Sequence, residues 1–182
     1  MKRGWCVWIT GLPGSGKSVI SRALIQLLEK QNISVQLISS DSLRTILTPE
    51  PSYSLRERDF VYNTIVYVAD LLTKNNVNVI IDATANLRRY RKKVREIIPT
   101  FIEVYLKCPI EVCMKRESKR KKTYDAPKEI YRNALRGSAI NVPGVGQPYE
   151  PPHNPEVEID TVQTSVDQSA EKIMRTIKAI SK

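Results

Sequence analysis

The chain has one histidine, three cysteines and two phenylalanines in 182 residues, and it has no long apolar run. Each scarcity excludes something. The longest apolar stretches are strand-sized, such as Val77 to Ile81 with Asn78 inside it, whereas crossing a bilayer takes roughly 20 consecutive apolar residues. No membrane partner is expected. Met1-Lys2-Arg3-Gly4 runs into the first apolar strand within a few residues, which leaves no room for a signal peptide and points to a cytoplasmic protein. Cys6, Cys108 and Cys113 are odd in number and contain no Cys-x-x-Cys pair. They read as buried free thiols rather than a metal site. His153 lies among prolines ahead of Asn154-Pro155 and reads as a surface loop residue, because carboxylates are available for any proton transfer.

What the chain does have is positive charge. Lys and Arg number 29 against 19 Asp and Glu, a formal net charge of +10. Much of the excess lies in Arg88-Arg89-Tyr90-Arg91-Lys92-Lys93 and in Lys115 to Lys122. Such clusters serve nucleic acid or an anionic small molecule, and solvated helix faces produce the same pattern. The aromatic platform that single strands stack on is not evident, so a nucleic-acid partner is not expected. With 41% hydrophobic residues, the chain can bury a core as one domain, residues 1–182.

The most specific pattern is Gly11-Leu12-Pro13-Gly14-Ser15-Gly16-Lys17-Ser18. It spells the phosphate-binding loop G-x-x-x-x-G-K-[ST]: the glycines turn backbone N–H groups toward phosphate oxygens, Lys17 reaches the outer phosphates, and the Ser18 hydroxyl ligates Mg²⁺. Its flanks fit. The run Trp5 to Ile9 is a strand leading in, and Val19, Ala23, Ile25, Leu27 and Leu28 make a helix leading out, so a helix N-terminus faces the anion. A nucleoside triphosphate, ATP or GTP, is the expected ligand.

Beyond the loop, strands and helices alternate. Val35 to Ser39, Val77 to Asp82, Phe101 to Leu106 and Glu156 to Ile159 read as further strands. Helices are expected around Val61 to Leu72, before Pro99, from Ile110 to Arg120, from Lys128 to Leu135, and after Ser165, which with Gln168 forms a capping box. Strands joined by helices require right-handed crossovers, hence an α/β P-loop kinase fold with a mainly parallel sheet of about five strands and helices on both faces. Ligands bind such sheets at the carboxyl ends of the strands. Asp41 and Asp82 fall there, each after an apolar strand. Either can order the Mg²⁺ shell or accept a proton, and either can be a turn residue. Arg44, one helical turn past Asp41, either faces the same pocket or lies on the surface.

Taken together, these residues resemble the adenylyl-sulfate kinases. The likeness includes Trp8-Ile9-Thr10-Gly11-Leu12 with the phosphate loop, Asp41-Ser42-Leu43-Arg44, Tyr53-Ser54, Pro109 to Cys113 with Arg116, Pro148-Tyr149-Glu150-Pro151-Pro152, Asn154-Pro155-Glu156 and Asp160-Thr161. What the resemblance implies is transfer of the ATP γ-phosphoryl group to the 3′-hydroxyl of adenylyl sulfate. It implies Lys17 and Asp41 as catalytic residues and Ser18 and Asp41 around Mg²⁺, to which Asp82 is added by its place at a strand end beside the phosphate loop. Gly11 to Ser18 and Arg116 would bind ATP, and Arg44, Tyr53, Asn86 and Arg89 the acceptor. A homodimer and a lid around residues 115–147 are implied as well. The acceptor side departs from the family pattern. Val61-Tyr62-Asn63-Thr64 stands in place of Asn-Ile-Arg-Arg, Asn86 in place of a serine, and Ile140 and Val142 in place of a lysine and a phenylalanine. About nine extra residues separate Arg116 from Tyr131. The form Asp82-Ala83-Thr84 is closer to other small phosphate-loop kinases. Two alternatives therefore stay open: a kinase of another hydroxylated metabolite or a polynucleotide end, and a non-catalytic nucleotide- or nucleic-acid-binding module.

Overall fold

Strand β1 (Cys6–Thr10) is buried at every position, as the middle strand of a parallel sheet must be when helices cover both faces. The computed structural model describes residues 3–139 and 141–180, so Ile140 lies outside the described residues. Helix α1 (Lys17–Glu29) follows the phosphate loop. Then come β2 (Val35–Ser39), α2 (Ser40–Leu47), α3 (Leu55–Lys74), β3 (Asn78–Asp82) and α4 (Arg88–Ile97). The rest is β4 (Phe101–Lys107), α5 (Ile110–Lys119), α6 (Ile130–Leu135), β5 (Val157–Asp160) and α7 (Val166–Ile180). The five strands pair in parallel in the order β2-β3-β1-β4-β5. This is the sheet the alternation predicts.

Strand alternation sorts the core into two layers. Val7 and Ile9 of β1, Ile80 of β3 and Ile102, Val104 and Leu106 of β4 pack with Leu24 and Leu28 of α1 and Ile173 and Ile177 of α7. On the other face Cys6, Trp8, Val79, Ile81 and Phe101 pack with Val61, Ile65 and Ala69 of α3 and Tyr90 and Val94 of α4. Trp8 is fully buried, and its indole N–H donates to Ala83 O at 3.0 Å. Cys6 and Cys113 are buried and Cys108 half-buried, all as free thiols. Ser165 and Gln168 cap α7 reciprocally, Ser165 N–H to Gln168 Oε1 at 3.0 Å and Gln168 N–H to Ser165 Oγ at 3.2 Å.

Two elements differ from the sequence expectation. Helix α2 starts directly after β2, so Asp41 sits in a first helical turn and not in a strand-end loop. Ser39 caps it, accepting from Ser42 N–H at 3.4 Å. Helix α3 begins at Leu55, well before the apolar repeat that announces it, because Ser54 caps Glu57 N–H at 3.3 Å. Among the described residues no helix is long and apolar enough to cross a membrane.

The basic run of α4 is engaged within the molecule. Arg91, 1% exposed, donates through Nε to Glu103 Oε1 at 2.6 Å, and through its other nitrogens to Ala85 O and to Glu150 O at 2.7 Å. Arg88 donates to Pro151 O at 3.0 Å, Arg95 pairs with Glu156 at 2.6 Å, and Lys93 donates to Asn63 Oδ1 at 2.7 Å.

Candidate active site

Because β2, β3 and β1 are neighbours, the segments that leave their carboxyl ends meet at one place. The phosphate loop leaves β1, Asp41 opens α2 after β2, and Asp82 closes β3. Gly14 has φ +81, and a Cβ there would lie 2.4 Å from Cys113 O, so the loop can lie this close to α5 only as glycine. Gly16, at φ +106, turns the chain into α1, and no side chain caps that helix. Its first-turn N–H groups therefore stay available to an anion. The Lys17 ammonium donates to Gly11 O and Leu12 O, both at 3.1 Å, folding back along the loop. Thr10 Oγ1 donates to Thr84 O at 2.6 Å and lies 3.1 Å from Tyr149 Oη, which ties the ends of β1 and β3 to the Pro148–Glu150 segment.

A cleft of about 750 Å³ opens over these groups, lined by Lys17, Ser18, Asp41, Arg44, Asp82 and Arg116 among others. Burial pushes the Asp82 carboxyl up, against the pull of Lys17, the Ser18 hydroxyl and Arg22. Asp41 is pushed up as well, by burial and then by the Asp82 charge, with Lys17, Arg44 and Arg120 opposing. Burial lowers Lys17 while both carboxylates oppose the shift. The carboxylates are shifted first by burial, in a cleft lined by more cations than carboxylates, and together with the Ser18 hydroxyl they are the oxygens here that could hold a hard divalent cation. No cluster of three or more His, Cys, Asp or Glu side chains that could hold a metal occurs among the described residues. Ser18, Asp41 and Asp82 could hold Mg²⁺ only with further ligands from phosphate oxygens and water, which is how that ion is commonly held.

The other end of the cleft is built from α2, α3 and the loop between them. Arg44 is 5% exposed and pairs with Glu57; its guanidinium carbon lies 4.8 Å from the Tyr53 ring centroid. Arg58, also 5% exposed, donates to Tyr53 O at 3.0 Å, Asn86 Oδ1 at 3.3 Å and Asn141 O at 2.5 Å, and lies 5.8 Å from the same ring. Burial raises the Glu57 carboxyl, but hydrogen bonds from Ser52 and the Arg44 charge outweigh it and hold Glu57 below its ordinary value.

Of the residues singled out by sequence, Gly14, Gly16, Lys17, Ser18, Asp41, Arg44, Tyr53, Asp82 and Arg116 do come together around this cleft. Two substrate-site expectations are not met in place. Asn86 lies behind the wall, its amide donating to Pro148 O at 3.0 Å while its carbonyl oxygen accepts from Arg58. Arg89 points away and pairs with Asp59, because it lies on the outward face of α4. Arg116 lines the cleft with its guanidinium turned toward β5, donating to Thr161 O at 2.6 Å and Thr161 Oγ1 at 2.9 Å. Arg58, Glu57 and Tyr62 escaped the sequence reading. Arg58 carried a signal: it precedes Val61, Tyr62 and Ile65 at helical spacing, a charged residue on an apolar face.

The sequence model described as Adenylylsulphate kinase matches residues 3–160. An adenylyl-sulfate kinase of Gloeothece citriformis is 36% identical over 176 residues, covering 97% of this chain and 95% of the relative. A probable adenylyl-sulfate kinase of Aeropyrum pernix is 32% identical, covering 99% and 96%. The solved APS kinase of Mycobacterium tuberculosis in complex with AMPPNP and APS superposes with a TM-score of 0.86 at 27% identity, over 98% of this chain and 99% of that one. Matched by the family model over residues 3–160 and by relatives more than 30% identical along nearly its whole length, the chain belongs to the adenylylsulphate kinase family.

Proposed function

We propose that the protein transfers the γ-phosphoryl group of ATP to the ribose 3′-hydroxyl of adenylyl sulfate, giving 3′-phosphoadenylyl sulfate, in the cytoplasm and with Mg²⁺. The observation that carries this reading is the joining of two halves in one cleft: the phosphate loop with Asp41 and Asp82, and Tyr53 flanked by Arg44 and Arg58. An aromatic face with two cations beside it suits a purine carrying an anionic group. The names of the relatives support the same acceptor.

Phosphoryl transfer needs little covalent help from a protein, so positioning and charge neutralisation provide most of the rate. The loop amides and Lys17 hold the outer phosphates. Ser18, Asp41 and Asp82 are the residues that would hold Mg²⁺, which when bound neutralises phosphate charge. Asp41, facing the cleft beside Lys17, accepts the proton of the attacking hydroxyl, directly or through the water it would order on Mg²⁺. Arg116, fixed on Thr161, forms the wall beside the donor nucleotide. A homodimer belongs to this reading, and a second copy would cover the exposed Phe60, Tyr67 and Leu71 on α3.

Incubation with ATP, Mg²⁺ and adenylyl sulfate, with nucleotides separated by chromatography, tests the reading. The expected result is 3′-phosphoadenylyl sulfate and ADP in equal amounts, with the rate reduced at least about 1,000-fold in Lys17→Ala. No phosphorylated product at saturating substrate would overturn it.

A further inference from the structure

Between α5 and α6 the chain runs from Arg120 to Glu129 across the mouth of the cleft, with Lys122, Tyr124 and Lys128 among its lining residues. This is the stretch that is longer than the family pattern. It is fastened on both sides. The Arg22 guanidinium of α1 lies 4.1 Å from the centroid of the Tyr124 ring, and the Ser42 hydroxyl of α2 donates to Asp125 Oδ2 at 2.6 Å. Ser42 is the residue next to Asp41, and the Arg22 charge acts on Asp82. The segment therefore spans the donor half and the acceptor half at the point where phosphate would pass between them.

Its backbone is held in an unfavourable shape. Tyr124, Asp125 and Glu129 have φ values of 49, 66 and 53, the left-handed region that costs a residue with a side chain free energy and persists only where surrounding contacts over-determine it. What the shape secures is Arg120. Its guanidinium donates to Pro127 O within the segment and lies 3.3 Å from the buried Glu117 carboxylate, which in turn accepts from Ile130 N–H at 3.3 Å. Arg120 Nε is buried without a hydrogen-bond partner among the described residues. Arg120 lines the same cleft as Lys17 and Asp41, and its charge acts on both.

We propose that Tyr124 and Asp125 are positioning residues for phosphoryl transfer: by docking this segment on α1 through Arg22 and on α2 through Ser42, they hold Arg120 over the place where Lys17 and Asp41 meet the transferring group. The proposal rests on the kinase reading above. A guanidinium held there, even with its charge shared with Glu117, can donate hydrogen bonds to the equatorial oxygens as charge develops on them, while ground-state ATP stays gripped by the phosphate loop. Loss of the docking therefore lowers kcat and leaves ATP affinity nearly unchanged.

The test is steady-state kinetics with ATP, Mg²⁺ and adenylyl sulfate, together with equilibrium ATP binding, on the whole chain and on Tyr124→Phe, Tyr124→Ala, Asp125→Ala, Arg120→Ala and the Arg120→Ala/Asp125→Ala pair. Tyr124→Ala and Asp125→Ala are expected to lower kcat about tenfold with ATP affinity within about twofold, and Tyr124→Phe, which keeps the ring, to match the unaltered protein. In the Arg120→Ala background, Asp125→Ala should have no further effect, because it acts through Arg120. Unchanged kcat in Asp125→Ala, an equal loss in both backgrounds, or a parallel loss of ATP binding would overturn the proposal alone. An unaltered protein that fails to phosphorylate adenylyl sulfate would overturn it together with the kinase reading.

Discussion

Replacing Arg91 by methionine removes a donor group that serves three acceptors, the buried Glu103 of β4 and Ala85 after β3 and the half-buried Glu150 before β5. The guanidinium holds Glu103 Oε1 at 2.6 Å, Glu150 O at 2.7 Å, and Ala85 O. Methionine keeps the apolar stem and fills irregular space, so the loss is mainly electrostatic. Removing one partner of a buried pair costs about 3–5 kcal/mol. Arg95 remains 3.2 Å from Glu103 Oε2, which puts Arg91→Met at the lower end, about 3 kcal/mol. Urea unfolding followed by circular dichroism reads this directly: with m near 2 kcal/mol/M, the midpoint should fall by about 1.5 M with the slope unchanged. A loss below about 1 kcal/mol would place Arg91 with surface pairs and refute the claim that α4 spends its charge on holding the Pro148–Glu150 segment.

Two further outcomes follow from the cleft. Asp82→Asn should raise the melting temperature of the nucleotide-free protein at pH 7 while abolishing transfer. Burial raises the folded pKa of Asp82 above its ordinary 3.8, so the native state binds more protons than the unfolded state between those values and stability falls as pH rises through that interval. The gain in Asp82→Asn should shrink as pH is lowered toward 3.8; a variant less stable than the unaltered protein at pH 7 contradicts this assignment. Tyr53→Ala should raise the KM for adenylyl sulfate about tenfold or more through loss of a stacking face, with Tyr53→Phe close to unaltered. An unchanged KM in Tyr53→Ala removes the ring from the acceptor site.

The donor half was legible because its chemistry is local. Eight consecutive residues, Gly11 to Ser18, carry the phosphate loop, and each strand announces itself by its apolar residues. Helix α2 was not legible as a helix: eight residues, Ser40–Leu47, are too few for a clear period, and its start depends on the Ser39 cap. Asn86 and Arg89 were assigned by position along the chain, yet α4 turns Arg89 outward to Asp59 and Asn86 bonds Pro148, contacts between segments that no spacing rule contains. Arg58 failed in the opposite sense. Its partners Tyr53, Asn86 and Asn141 come from three loops, and only folding brings their oxygens to one guanidinium. The role of the basic run on α4 stayed open for the same reason, since net charge says nothing about whether Glu103, Glu150 and Glu156 stand within its reach.

The two acceptor-side arginines are not equivalent, although both are 5% exposed and both flank Tyr53. Arg44 is paired with a carboxylate that its surroundings keep ionised, so the Arg44–Glu57 unit contributes little net charge to the cleft. The same carboxylate also accepts from the backbone and hydroxyl of Ser52 at 2.6 and 2.7 Å, which makes the pair a brace for the Tyr53 loop. Arg58 bonds only neutral oxygens, two backbone carbonyls and an amide. Its full charge is therefore left for an anion, and those three bonds fix the guanidinium before any ligand arrives. Low local dielectric strengthens a charge held this way, and pre-organisation removes the cost of ordering a long side chain on binding. On the proposed reading, an acidic acceptor would be gripped chiefly by Arg58, with the Arg44–Glu57 pair bracing the Tyr53 ring.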